Sequence, residues 1–410
     1  MIEIAAGHRM RLVKKSLFLA ALFPGLLSAS PLKVYILAGQ SNMEGHAKIS
    51  SFDHIGMDPK TAPLLKEMRN EDGSPRVLDR VWISYRTGGE EMPAASGPLT
   101  AGWGSRPDPT KDGGKIGPEF TFGIYMEKLL DEPVLIIKTA WGGKSLNTDF
   151  RPPGAGPYVF DETQLERFRS QGKDVDTIKA EKAEATGKYY RLMMDHVQSV
   201  LAEPAKAHPA YDPKEGLELA GFVWFQGWND MVDSGTYPDR GKPGGYDQYS
   251  IVLAQFIRDV RKDLKSPELP FVIGVMGAGG PTDQYGEGEK RYKQTHDNFR
   301  HAMAAPASLP EFKGNVAAVL TEKYWDPELD AVARKNSLVN AEAKRLKSSD
   351  LSKEEQTDKL AKFREKTLTP RDLELLKGIT NADYHYKGSA KIMAQIGRAF
   401  AEAIYAIEKK

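Results

Sequence analysis

Ser41 and His385 are the two side chains of this sequence best suited to covalent chemistry together. Ser41 stands in Gly39-Gln40-Ser41-Asn42-Met43, directly after the apolar run 34–38. An apolar, β-type run that breaks into Gly-Gln-Ser-Asn reads as a buried parallel strand delivering a serine into a tight turn at the start of a helix. In open α/β sheets, ligands bind at this edge. The free N–H groups of a helix N-terminus can also stabilise an oxyanion there. A plain N-cap serine carries the same local signature, so the blocks further along must decide what Ser41 means.

Three such blocks follow: Thr139-Ala140-Trp141-Gly142-Gly143-Lys144-Ser145-Leu146, Trp224-Phe225-Gln226-Gly227-Trp228-Asn229-Asp230, and Asn381-Ala382-Asp383-Tyr384-His385-Tyr386-Lys387-Gly388. The first two follow apolar strand runs, and the last precedes an amphipathic helix. A serine hydroxyl is a poor nucleophile until a base removes its proton, and His385 supplies that base. A tetrahedral intermediate then needs N–H donors around its oxygen. Candidates are the Gly143 backbone, the side-chain amide of Gln226 or Asn229, and the N–H of Ser41 itself. A parallel sheet would gather all of them along one edge.

These blocks resemble the SGNH hydrolase superfamily, in its branch of sialate O-acetylesterase-like and acetylxylan-esterase-like carbohydrate esterases. Gly39-Gln40-Ser41-Asn42-Met43 matches that branch's nucleophile block, and Trp141 to Leu146 its second block, with Gly143 at the oxyanion glycine. Ile116-Gly117-Pro118-Glu119 is similar to a Gly-Pro-Glu that opens a helix there. The similarity runs in order from about Lys33 to the end, interrupted by insertions. Two departures stand out. Trp228 replaces the glutamate of Trp-x-Gln-Gly-Glu-x-Asp, so the third block also reads as Gly-x-Asn-Asp, and either Gln226 or Asn229 fits as donor. Ala382 replaces the aspartate of Asp-x-x-His. Asp383, two residues before His385, is the first candidate to orient the ring, since neighbours at that spacing in an extended turn can point the same way. Asp326 is a second candidate and otherwise a substrate contact. A Ser–His dyad oriented by a backbone carbonyl is the third.

The composition narrows the setting. The chain has 410 residues, 40% of them hydrophobic, with 57 basic and 56 acidic side chains. A net charge of +1 offers no field for nucleic acid or an anionic membrane. With no cysteine, disulfides, thiolate catalysis and cysteine-bound metals are excluded. No His-Glu-x-x-His pattern or acidic calcium loop occurs, so no metal and no cofactor is expected. His296 and His301 read as solvated; His46, after the nucleophile block, fits either the cleft lining or a surface loop, and the surface loop is the preferred reading. Residues 1–30 have a basic start, a short apolar run and a small-residue exit, which is the layout of a secretory signal. Export to the periplasm or medium is therefore expected, with no membrane insertion after signal removal.

The elements that must hold the blocks are strands at 33–38, 81–85, 134–139, 221–225, 271–276 and 316–321, with helices at 120–130, 180–201, 246–264 and 387–407. Strands alternating with helices imply an α/β sandwich with a parallel sheet, and the resemblance implies its SGNH hydrolase-like form, a three-layer α/β/α sandwich with a mainly parallel central sheet over 31–410. Long Gly- and Pro-rich loops at 46–80, 87–115, 146–172 and 231–245 read as cleft walls. The charged stretch 327–377 reads as a helical insertion, a lid or flank within the same domain. Among the aromatic residues, Trp228 and Trp103 are the better candidates to stack on a sugar, whereas Trp224 reads as core. Gln40 joins them as a substrate contact. The expected activity is removal of O-acetyl groups from carbohydrate. The alternatives are a degenerate glycan binder on the same fold and a general small-acyl esterase.

Overall fold

Strand β1 (Leu32–Gly39) is apolar on both faces, and its alternating side chains enter two different cores. Val34, Ile36 and Ala38 pack with Met193, Val197, Leu253, Phe256 and Ile257 of the helices Lys188–Ala202 and Asp247–Asp263. Tyr35 and Leu37 pack with Phe120, Ile124, Ile396, Phe400 and Ile404 of the helices Glu119–Leu129 and Ala390–Glu408. The period of two along the strand thus builds two cores from one segment and gives the three-layer α/β/α arrangement. A computed structural model describes residues 30–89, 91–105 and 114–409. The expected signal segment lies outside them except for Ser30. No helix among the described residues is long and apolar enough to cross a membrane.

The other strands of the main sheet are β2 (Val81–Arg86), β3 (Ala95–Pro98), β4 (Val134–Ala140), β5 (Leu217–Phe225), β6 (Phe271–Val275) and β7 (Val316–Leu320). Their spatial order is β3-β2-β4-β1-β5-β6-β7. Every pairing is parallel except the β2–β3 edge. Register positions the site: Gly39 lies opposite Ala140 on one side and Phe225 on the other. Three of the four sequence blocks therefore leave the sheet at one level, at the carboxyl ends of its three middle strands.

Several elements differ from the sequence reading: the stretches 46–80 and 146–172, read as loops, carry the helices Phe52–Gly56, Ala62–Met68 and Glu162–Ser170, and Lys293–Ala304 is a further helix. The stretch 180–201 is two helices, Val175–Ala185 and Lys188–Ala202, separated at Gly187, whose φ of +72° ends one helical path and starts another. The loop 87–115 contains the edge strand β3, whose sequence Ala-Ser-Gly-Pro lacks apolar alternation. The last helix begins at Ala390 rather than at 387, because Tyr386 and Lys387 adopt positive φ. Within 327–377 lie the helices Pro327–Lys347, Lys353–Thr367 and Pro370–Leu376, capped by the side chains of Asp326, Ser352 and Thr369. They share a small core of Leu329, Val332, Val339, Leu368 and Leu375.

Candidate active site

The turn after β1 is fixed by close approach. A Cβ on Gly39 would stand 2.1 Å from the Phe225 carbonyl oxygen, so only glycine fits where β1 meets β5. Ser41 opens the short helix Ser41–Glu44 with Gln40 as N-cap. Its N–H and that of Asn42 belong to the first turn, which has no intrahelical acceptor for them. The carboxyl end of this helix is anchored from below. Lys138 of β4, fully buried, donates to the carbonyls of Glu44 and Trp103 and to Glu119, each at 2.8 Å. All three ammonium protons are used. Burial pushes the Glu119 carboxyl up and the Lys138 ammonium down, each shift opposed by the partner's charge.

A chain of amides then determines which donors remain. Gln40 is buried, and its Oε1 accepts from the Gly227 N–H at 3.0 Å and from Gln226 Nε2 at 3.1 Å. A backbone N–H can only donate, so the Gln40 oxygen is identified, and its Nε2 must be the atom that donates to Asn229 Oδ1 at 3.1 Å. Nδ2 of Asn229 is thereby left without an acceptor among the described residues. Gln226, by contrast, is consumed: its Nε2 also meets the Lys144 carbonyl at 3.0 Å and Asp230 Oδ2 at 2.6 Å. Gln40, read from sequence as a substrate contact, and Gln226, read as an oxyanion donor, are both buried struts. Asp230 completes the chain by accepting from the Leu146 and Asn147 N–H groups at 2.7 and 3.0 Å and from the Tyr237 hydroxyl at 3.2 Å. Burial raises its carboxyl to about 6 despite these donors.

The Gly-Gly turn after β4 lies against the serine. A Cβ on Gly142 would be 3.7 Å from Ser41 Cβ and 2.9 Å from Glu44 Oε2. Gly143 has φ of +72° and open space around it, which leaves its backbone accessible to a bound molecule.

His385 sits on a loop held from several directions. Its Nδ1 is 2.9 Å from Asn381 Oδ1, an atom that also accepts from the Ala382 N–H at 2.7 Å. The same logic applies: the backbone donor identifies Oδ1, so His385 Nδ1 carries the proton and Nε2 is the basic nitrogen. Asp383 does not orient the ring. It is largely exposed and pairs with Lys387 at 2.7 Å. Asp326 does not orient it either, nor is it free for substrate. It is buried, caps Leu329, pairs with Lys391 at 2.9 Å and lies 3.8 Å from His54. Asn42 Nδ2 donates to the Tyr384 carbonyl at 3.0 Å, joining the serine turn to the histidine loop. Below it, Tyr386 accepts from the Gly277 N–H and meets Thr321, while Lys387 pairs with Asp330 of the helical insertion at 2.8 Å. No hydrogen bond joins the Ser41 hydroxyl to His385 in this structure; in free enzymes that contact is often open and tightens when substrate binds. Ser84 and His196 do form such a bond, 3.2 Å long, but Ser84 lies within the strand β2 and not at the end of a strand where a helix begins.

Around His385 stand residues whose roles the sequence did not reveal. His46 stacks on it, ring centroids 4.0 Å apart and planes 4° from parallel, so it belongs to the site rather than to a surface loop. Tyr384 lies edge-on to His385 and 5.5 Å from Trp228, forming a partly exposed aromatic wall. Trp103 packs instead over Gly97 of β3 and donates to the Pro98 carbonyl. Trp224 is buried in the core. His296 is not solvated but paired with the Tyr285 hydroxyl, and burial pushes it down to about 4. No group of three or more metal-ligating side chains gathers among the described residues.

A serine at the helix start on the carboxyl edge of a parallel sheet, with a histidine loop beside it, is the layout of an α/β hydrolytic enzyme. The family model for carbohydrate esterases, sialic acid-specific acetylesterase, matches residues 31–312, and the chain belongs to that family. It is accordingly a carboxylic ester hydrolase of the carbohydrate acetylesterase kind. A search of the curated proteins finds no match. Similar solved structures include a protein from Arabidopsis thaliana (16% identity, 71% of this chain and 86% of that one, TM-score 0.36). A carbohydrate acetylesterase from Xanthomonas citri matches at 15% identity over 70% of this chain and 49% of that one, TM-score 0.36. NanS matches at 15% identity over 71% and 78%, TM-score 0.37.

Proposed function

We propose that the chain removes O-acetyl groups from carbohydrate, with Ser41 as nucleophile, His385 as base and Asn381 as the group that orients the base. The observation that carries this reading is the Asn381 oxygen, identified by its backbone donor, which leaves His385 Nε2 unprotonated. A neutral acceptor at this position has a parallel in Cys-His-Asn sites. Ser41 Oγ attacks the acetyl carbonyl while its proton passes to His385 Nε2. The oxyanion takes hydrogen bonds from the Ser41 and Gly143 N–H groups and from Asn229 Nδ2, which is partly exposed, whereas Gln40 Nε2, with one proton on Asn229, is buried. His385 then gives its proton to the departing sugar hydroxyl. Water, deprotonated by the same nitrogen, releases acetate and restores Ser41. The Trp228–Tyr384 wall offers an aromatic face to the sugar. Export through the N-terminal segment belongs to the same reading and is tested by the N-terminal sequence of the secreted protein.

The experiment is release of 4-nitrophenol from the acetate and butyrate esters by the wild type and Ser41→Ala. Activity that depends on Ser41 and falls steeply from acetate to butyrate is expected. Undiminished activity in Ser41→Ala overturns the reading.

A further inference from the structure

His46 lies outside the residues that touch the reacting atoms in this scheme, yet its contact with the base is close. The two imidazoles are parallel within 4° at 4.0 Å. His46 is itself held in place. Its Nδ1 is 3.4 Å from Ser105 Oγ, which also accepts from Lys115 Nζ at 3.0 Å. Its Nε2 is buried without a hydrogen bond, 3.8 Å from Glu44 Oε2. Glu44 in turn accepts from Thr87 at 2.6 Å and stands against Gly142. The base is thus flanked by His46, Glu44 and Lys115 from the first turn and its neighbours, and by Asn381 on its own loop. Asp383 and Asp330 share Lys387, and Asp330 also pairs with Arg334, on the far side of that loop.

We infer that His46 is a positioning residue for the base: its ring fixes the plane of His385 and, because two stacked imidazoles resist carrying two protons, it opposes protonation of His385. This rests on the assignment of Ser41 and His385 above. The geometry supports both halves. A flat ring at stacking distance removes the rotation about χ2 that Asn381 alone, a single contact to Nδ1, would permit. Two like charges at that separation in a half-buried site disfavour each other strongly. The direction agrees with the charges around the base: after burial, His46 is the largest influence holding the His385 pKa down.

The test is the pH profile of kcat/KM on 4-nitrophenyl acetate for the wild type, His46→Phe, Ser41→Ala and His385→Ala. Phenylalanine keeps a flat ring but cannot take a proton. Its acid limb is expected to move up by about one pH unit. A purely structural role would lower the rate at every pH and leave the limb in place, and that result overturns the inference. If His46→Phe does not fold, histidine Cε1–H titration of the wild type by NMR replaces it. The His385 midpoint is expected below that of the same resonance in His46→Gln, and equal midpoints overturn the inference. Activity surviving in Ser41→Ala or His385→Ala would instead overturn the nucleophile–base assignment, so the two failures are distinguishable.

Discussion

The Asn42 side-chain amide donates to the Tyr384 carbonyl at 3.0 Å, so the residue after the proposed nucleophile grips the residue before the proposed base. The two segments are 342 positions apart in sequence, and neither belongs to the sheet. This contact therefore helps set the distance between Ser41 and His385. Losing a partly buried hydrogen bond costs about 1–2 kcal/mol. Asn42→Ala is expected to lower kcat about tenfold with a smaller change in KM, measured by steady-state kinetics on 4-nitrophenyl acetate. Equal kcat in the variant would show that the loop is held without it.

Asn381 offers a sharper test. Asn381→Ala removes the acceptor for His385 Nδ1 and frees the other tautomer, whose Nε2 carries the proton and cannot act as base. A fall of about 10²-fold or more in kcat/KM is expected. Asn381→Asp restores an acceptor and adds a charge beside the ring. It is expected to recover much of the rate and to move the acid limb upward, because a nearby carboxylate favours the imidazolium.

The pH dependence of the wild type follows from His385. Burial, and then the neighbouring His46, push this imidazole down to about 4 from its ordinary value of 6.5. The base is therefore neutral, and the site competent, well below the pH at which a solvated histidine would be protonated. The acid limb of kcat/KM is expected near pH 4, not near 6.5. The same depressed value links to stability with a definite sign. The contribution is present above about 6.5, where the ring is neutral folded and unfolded alike, and is lost as the pH falls toward 4. Chemical denaturation at pH 7 and pH 5 checks this, with His385→Asn expected to reduce the difference.

Much of this arrangement was legible in the sequence because it depends on strand ends. Three of the four blocks follow an apolar run, and parallel register puts Gly39, Ala140 and Phe225 side by side. What could not be read was which polar atoms are used up. Gln226 and Asn229 are three residues apart and chemically alike; only the chain through Gln40 and Asp230 distinguishes them. Asp383 was the nearest carboxylate to His385 along the chain. The loop then bends through Tyr386 and Lys387 at positive φ, turning Asp383 toward Lys387 and bringing Asn381 to the ring. Nothing in residue type signals that bend, since neither residue is glycine. His46 was read toward the surface for a related reason: its partner lies across the fold, and a lone histidine after a glycine looks like any loop. Lys138 did leave a signal, as the one charge within the apolar run of β4.

That buried lysine gives the last prediction. Lys138 and Glu119 have no exposed side-chain surface, and the Lys138 Nζ also lies 4.3 Å from the centroid of the Tyr85 ring. Taking two charges out of water is costly, and their mutual attraction repays it only while both are present. Lys138→Met leaves the Glu119 carboxylate buried with backbone N–H donors alone, that of Gly117 foremost, and leaves the Glu44 and Trp103 carbonyls without this partner. A loss of about 3–5 kcal/mol in unfolding free energy is expected from urea denaturation. The double variant Lys138→Met with Glu119→Leu removes the orphaned charge and is expected to regain most of that loss. Its activity should stay low, because the carbonyl of Glu44, at the carboxyl end of the helix that Ser41 opens, no longer has its anchor. Recovery of stability together with full activity would mean that the ion pair holds the fold but does not place Ser41.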